Sequence, residues 1–257
     1  DELRFKESRL KKIQEAQKAL EDEARARAQA EQAQYEEKER KWKERGGKGR
    51  RPKPPSDQPD PQAQRNFTDP DSKIMKSSNK GWDQCGNAQA VANEEQIILS
   101  ADVTAQANDK QQLEPMYEQV CDNLKQARAR KRKPEEFLGD AGYYSEDNVE
   151  FLESKNVDPY LATGRFKHHE EISSPRGRPP ADLTTKQRMA RKLRTKRGRE
   201  TYSKRKGIIE PVFGQIKHAR GFRQFLLRGL NKMRAEYRLV CLTHNLLKLY
   251  RYELAAE

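Results

Sequence analysis

Apolar positions along the chain are spaced in distinct ways, and each spacing predicts a different element. Over residues 1–45, Leu3, Leu10, Ile13, Leu20 and Ala24 fall on one helical stripe among Glu, Lys, Arg, Gln and Ala, with neither glycine nor proline before Gly46. Helix-forming residues on a thin apolar stripe predict one long, mostly solvated helix. The stripe fades after Leu20, which suits a helical hairpin lacking its upstream partner as well as it suits a coiled coil. The chain also starts at Asp1, without methionine and directly in helical sequence, so an upstream portion is expected. Residues 46–65 are rich in Gly, Pro, Lys and Arg, with Pro54-Pro55, Pro59 and Pro61, and read as a flexible basic linker.

From Asn66 onward the period changes. Asn87 to Val91 and Gln96 to Thr104 carry alternating and β-branched residues, predicting two adjacent strands. Asp109 then reads as the N-cap of a helix whose inner face holds Leu113, Met116, Val120 and Leu124. Glu135 to Gly139 predicts a buried strand ending at Asp140, Ser145 caps a helix with Val149, Phe151 and Leu152 inward, and Val157 to Ala162 reads as a further strand. Residues 163–206 form a basic helical insertion, followed by a helix beginning near Lys206 that carries Glu210. After a break near Gly221, a last helix spans roughly Leu230 to Leu254, with Met233, Tyr237, Val240, Leu242, Leu246 and Leu249 on its apolar side. This order predicts an α/β fold over residues 66–257, a mixed sheet flanked by helices.

Composition narrows the class. With 36% charged against 33% hydrophobic residues, part of the chain must be non-globular, and most of the core has to come from residues 67–257. The 53 Lys and Arg exceed the 40 Asp and Glu by 13, so the expected partner is a polyanion, nucleic acid first and an acidic membrane surface second. Three cysteines far apart, without a C-x-x-C pair, indicate neither a disulfide framework nor a zinc site, and a reducing cytosol fits. No apolar run has the length of a spanning helix, and the N-terminus has no signal-peptide core, so a cytoplasmic protein with no membrane partner is expected.

Two acids stand out against that basic background. Asp140, followed by Ala141-Gly142-Tyr143, sits at the end of its strand, and Glu210 follows seventy residues later on a helix with Arg205 and Lys217 nearby. Carboxylates of this kind hold the Mg²⁺ or Mn²⁺ ions that activate and stabilise oxygens in phosphoryl transfer. Asp140 reads equally as an ordinary turn residue, and Glu210 as half of a surface ion pair. A third acidic ligand is normally needed. Asp69, Asp71, Asp102 and Asp109 are the candidates, with Asp109 better explained as a cap. Eleven Lys or Arg lie between Lys186 and Lys206, including Arg191, Lys192, Arg194, Lys196 and Arg197, and they read as a DNA-phosphate surface or as a solvated face. His168-His169, beside Glu170 and Glu171, reads as a polar loop in preference to a zinc site.

At Asn66-Phe-Thr68-Asp69-Pro70-Asp71-Ser72, Asn87-Ala88-Gln89-Ala90-Val91, Asn108-Asp109, Asp140-Ala141-Gly142-Tyr143, Glu210-Pro211-Val212-Phe213-Gly214-Gln215-Ile216-Lys217 and Arg228-Gly229, the sequence resembles bacterial insertion-sequence transposases of the DDE class. The resemblance implies a ribonuclease H-like core, with Asp140 and Glu210 as the second and third metal-binding catalytic acids. It implies that Tyr202, Arg205 and Lys217 contact DNA near the cleaved strand. Four residues separate Arg205 from Glu210 where the family's Tyr-Arg-Glu-Lys pattern has three, so Lys206 is the alternative to Arg205. Cys85-Gly86 replaces a Gly-Tyr pair, and Asn93 an acid. The family's first aspartate lies on a strand upstream of a long helical segment like residues 1–45. The resemblance therefore implies the C-terminal portion of a transposase that lacks this aspartate and is inactive by itself, with transposon-end and target DNA as partners, no small-molecule substrate, a homodimer in the complete protein, and a nucleoid location. A non-catalytic DNA-binding remnant and a metal-dependent nuclease of the same fold are the alternative readings.

Overall fold

The structure, a computed structural model, describes residues 2–76, 81–164, 174–180 and 182–255. His168 and His169 lie outside the described residues. The chain divides into two compact units, Asp1–Gln84 and Cys85–Glu257.

The first unit is dominated by α1 (Glu2–Glu44), with β1 (Lys73–Lys76) paired to β2 (Trp82–Cys85). Most of α1 is solvated: Leu3, Leu10 and Ile13 are exposed, and Ala24 is its buried apolar position. Glu23 anchors the segment after the linker, pairing with Arg65 and, at 3.2 Å, with Lys73.

The second unit is built from two strand pairs and the helices covering them. β3 (Asn87–Ala92) runs antiparallel to β4 (Ile98–Thr104), with Gln89 opposite Asp102 and a register shift at Val91/Ala92. β5 (Glu136–Gly139) runs parallel to β6 (Asp158–Leu161), joined through α3 (Glu146–Ser154) as a βαβ unit. Among the described residues the expected mixed sheet is therefore three two-stranded pieces, not one continuous sheet. The α/β character stands, with six α-helices and small sheets among the described residues.

Each strand pair has its own core. Leu113 and Tyr117 of α2 (Leu113–Gln126) close over Phe137, Leu161, Val149 and Leu152, together with Met189 and Leu193 of α4 (Thr185–Arg194). Ile98, Ala101 and Val103 of β4 pack against Val212 of α5 (Lys196–Gly214), Ile216, and Met233, Tyr237 and Cys241 of α6 (Leu230–Leu254). Ser145 caps α3 by accepting from the Asn148 N–H, as its sequence predicts.

Two helices depart from expectation. The Glu210 helix does not begin near Lys206 but runs unbroken from Lys196, capped by Thr195. The α4–α5 elbow is so tight that a Cβ on Gly198 would lie 2.0 Å from the Lys192 carbonyl oxygen, so glycine is required there. Pro211 lies inside α5 and has no N–H for the Gly207 carbonyl; the Gln96 side-chain amide donates to that oxygen at 2.9 Å instead. On α6, the inner face is Met233, Tyr237, Cys241 and His244, with Val240 partly buried, whereas Leu242, Leu246 and Leu249 are exposed. At roughly 100° per residue, Leu242 points half a turn away from Met233, so the helix carries two apolar stripes and only one is covered by the fold.

Candidate active site

β5 ends at Gly139 and delivers Asp140 into a tight turn. The Gly142 N–H donates to Asp140 Oδ1 at 2.9 Å and the Tyr143 N–H to the Asp140 carbonyl at 3.2 Å, an Asx-type turn that fixes the carboxylate. Asp140 is exposed, which leaves the rest of its carboxylate accessible.

Asp109 comes to the same place. It is not the helix cap: Asn108 holds that position, its side chain accepting from the Lys110 N–H, and Asp109 is the first residue of a single 3₁₀ turn, Asp109–Gln112. Its Oδ1 accepts from Asn87 Nδ2 at 2.7 Å and from Gln89 Nε2 at 2.8 Å. Its Oδ2 would lie 2.9 Å from a Cβ on Gly142, and Asp140 Oδ1 would lie 3.0 Å from the same point. Gly142 thus forms a small cradle against which an oxygen of each carboxylate lies. The Tyr143 hydroxyl donates to Gln89 Oε1. Burial, then the charges of Asp109 and Asp140, push the Tyr143 phenol well above its ordinary range, so it stays a protonated donor.

Two hard carboxylate oxygens this near each other suit a small divalent ion, which commonly takes one or two carboxylates and completes its shell with water and substrate phosphate. Among the described residues no three His, Cys, Asp or Glu side chains are drawn together at metal-binding spacing. Glu210 is accordingly not gathered with Asp109 and Asp140; it stands exposed on α5. The other candidate acids are engaged elsewhere: Asp102 pairs with Arg234 at 2.9 Å and with Arg238 at 3.4 Å. Asp69 and Asp71 belong to the first unit.

The basic residues separate into two groups. Arg191 donates to the carbonyls of Arg176 and Gly177, while Lys192 bonds Asp158 and the Pro159 carbonyl and stacks 3.9 Å from the Tyr160 ring centroid. Both charges serve the fold. Arg194, Lys196, Arg197, Lys206 and Lys217 are exposed, with Arg197 3.6 Å from Glu136 and Lys217 over the Phe213 ring. Tyr202 lies within electrostatic reach of both Arg205 and Asp140. Burial raises the Tyr202 phenol, Arg205 draws it down, and Asp140 raises it again, so all three share one field. The Arg205 guanidinium lies 5.7 Å from the Tyr202 ring centroid, and its Nε is buried without a hydrogen-bond partner among the described residues.

The family model for the transposase DDE domain matches residues 50–246. The chain belongs to this family. No curated protein and no solved structure matches it. As a transposase DDE domain its general business is DNA transposition, and DNA is the partner that its charge excess of 13 already indicated. The family typically works with a divalent metal, to which the hard oxygens at the Gly142 cradle are chemically suited. Among the described residues no helix is long and apolar enough to cross a membrane.

Sequence reasoning read Asn87 and Gln89 as strand and family marks without a role at the site, and set Asp109 aside as a cap. The available signal was the alternation Asn87-Ala-Gln89, which puts two amides on one face of a strand, with Gln89 only 3% exposed. A buried amide must find partners, and these two find Asp109.

Proposed function

We propose that this chain is the core portion of a cut-and-paste DNA transposase on a ribonuclease H-like framework, with Asp140 and Glu210 as divalent-cation ligands. The observation that carries the reading is the exposed Asp140 carboxylate, pinned at the end of β5 with Tyr202 near enough to feel its charge. A bound Mg²⁺ or Mn²⁺ would supply charge neutralisation and a more acidic water at the scissile phosphodiester. The chain's own residues do the rest: Asp140 offers a fixed carboxylate oxygen, and Arg205, beside Tyr202, adds a guanidinium charge. Lys206 and Lys217 add exposed positive charge along α5 and the π turn Gln215–Ala219 that follows it. By the family resemblance a further aspartate on another strand completes the carboxylate set, two copies pair two transposon ends, and the freed 3′-OH attacks target DNA. The chain by itself is then inactive in cleavage but binds end DNA.

The test has two parts. With the additional strand supplied, Asp140→Asn and Glu210→Gln should abolish metal-dependent strand cleavage and leave DNA binding intact; cleavage by either variant would remove that residue from the ligand set. In the chain as it stands, Lys217→Glu should weaken binding to end DNA and flatten its salt dependence. Binding with no cleavage under any metal would identify a non-catalytic DNA-binding piece, and cleavage without joining of the 3′-OH end would identify a nuclease.

A further inference from the structure

The interactions around Asp109 form a chain that ends at Asp140. An ionised carboxylate only accepts hydrogen bonds. Asp109 Oδ1 therefore obliges both Asn87 and Gln89 to turn their NH₂ groups toward it, at 2.7 and 2.8 Å. Gln89 is buried and has one remaining polar atom, Oε1. With the NH₂ committed to Asp109, that oxygen faces the Tyr143 hydroxyl and accepts from it. The flipped amide would set Oε1 against the Asp109 oxygen and NH₂ against the hydroxyl proton, so the acceptor oxygen of Asp109 selects the orientation. Tyr143 closes the Asp140 turn through its own N–H, and the Gly142 N–H holds Asp140 Oδ1. From the other side, Asn148 Nδ2 donates to the Tyr143 carbonyl at 2.7 Å and to the Lys110 carbonyl at 2.8 Å, tying the 3₁₀ turn that carries Asp109 to the same loop.

We propose that Asp109 is a positioning residue, acting through Gln89 and the Tyr143 hydroxyl to hold the turn that presents Asp140. Its bearing on catalysis rests on the reading of Asp140 as a cation ligand, but the relay itself is a property of the turn. It spans elements that are distant in sequence, β3, the 3₁₀ turn and the loop after β5, so the carboxylate of Asp140 is placed by the assembled fold and not by its own four-residue turn alone.

Two measurements on the full chain test this separately. The first is amide hydrogen exchange at Gly142 in the wild type and in Asp109→Ala, Gln89→Leu and Asp109→Asn. Asp109→Ala and Gln89→Leu should speed exchange at Gly142 about tenfold or more, with Val103 in β4 unchanged. Asp109→Asn, which keeps an oxygen acceptor, should stay within about threefold of wild type. Unchanged Gly142 exchange in Asp109→Ala overturns the relay, and if that variant fails to fold, unchanged exchange in Gln89→Leu does so. An Asp109→Asn variant as fast as Asp109→Ala also overturns it, because the acceptor would then not be what matters. The second is Mn²⁺ binding followed by the resonance of the free ion. Asp140→Asn should abolish it, and both Asp109→Ala and Gln89→Leu, which keeps the Asp109 carboxylate, should weaken it about tenfold. If the wild-type chain binds no Mn²⁺ while exchange behaves as expected, Asp140 as a ligand fails and the relay stands; tight Mn²⁺ binding in Asp109→Ala overturns the relay's effect on the ion.

Discussion

Asp140 and Glu210 were singled out for the same reason, yet the molecule treats them differently. Asp140 is locked by its own turn, and the loop that carries it is tied to β3, to the 3₁₀ turn and to α3 through buried amides. Glu210 projects from a solvated face of α5, and among the described residues no hydrogen bond or ion pair engages it. The backbone beneath it is the part that is supported: the Gly207 carbonyl, orphaned by Pro211, takes its hydrogen bond from Gln96. One acid is thus preorganised as a side chain, and the other only as a stretch of helix. The first can meet a cation at little entropic cost, while the second must be ordered by whatever it binds.

Alkali offers the largest separation of the two regions. In the core beneath the Glu210 helix, Cys241 packs with Tyr237 and Val212, and burial pushes the Cys241 thiol up to about 11 from its usual 9.0. A raised pKa means that the folded state favours the neutral thiol. Stability is then intact below pH 9 and is lost as pH climbs toward 11, by about 3 kcal/mol at two pH units of 1.4 kcal/mol each. Urea unfolding across that range should show the slope in wild type and a shallower one in Cys241→Ala. Equal slopes would mean that the thiol is not held neutral.

Filling the cradle comes next. Gly142→Ala sets a methyl group 2.9 and 3.0 Å from the Asp109 and Asp140 oxygens, so at least one carboxylate must move. A stability loss of about 2 kcal/mol is expected, together with loss of Mn²⁺ binding. A variant as stable and as competent as wild type would show that the turn is loose and that the contrast with Glu210 is not real. A third comparison uses the acids themselves: Asp140→Asn should reduce Mn²⁺ affinity more than tenfold, on the order of 1.4 kcal/mol or more, and Glu210→Gln less than twofold in the absence of DNA. Equal losses would mean that the two acids already share one ion in the free chain.

How much of this was legible in the sequence depended on how local the cause is. The Ser145 cap, β3, β4 and the strand ending at Asp140 were readable because each rests on neighbours within a few residues. Asn108 and Asp109 are adjacent and both are good caps, so capping preference alone does not say which one binds the helix and which is released to a distant partner. On α6 the outer leucines repeat at helical spacing just as Met233, Tyr237 and Cys241 do; periodicity reveals a stripe but not whether anything covers it. The start of α5 was misplaced because the basic stretch up to Lys206 was read as a separate insertion, whereas the elbow lies at Gly198 and Gly207 sits in mid-helix. Family membership drew on the motifs spread over residues 50–246 and needed none of these details.

The smallest effect is the sharpest test of what supports Glu210. Gln96 has a positive φ of 63°, and its side chain donates to the Gly207 carbonyl and accepts from Lys248 at 3.1 Å. Asparagine tolerates that backbone conformation but is one methylene shorter, so Gln96→Asn removes the reach of the amide while leaving the turn unstrained. The Gly207 oxygen, already denied a helical donor by Pro211, would lose its substitute, at a cost of about 1 kcal/mol. Hydrogen exchange should then quicken at the amides of Ile208 to Glu210 and stay unchanged at Gly142. Quickening at both sites would mean that the two acids are held by one cooperative unit, and the division between a fixed side chain and a supported helix would have to be given up.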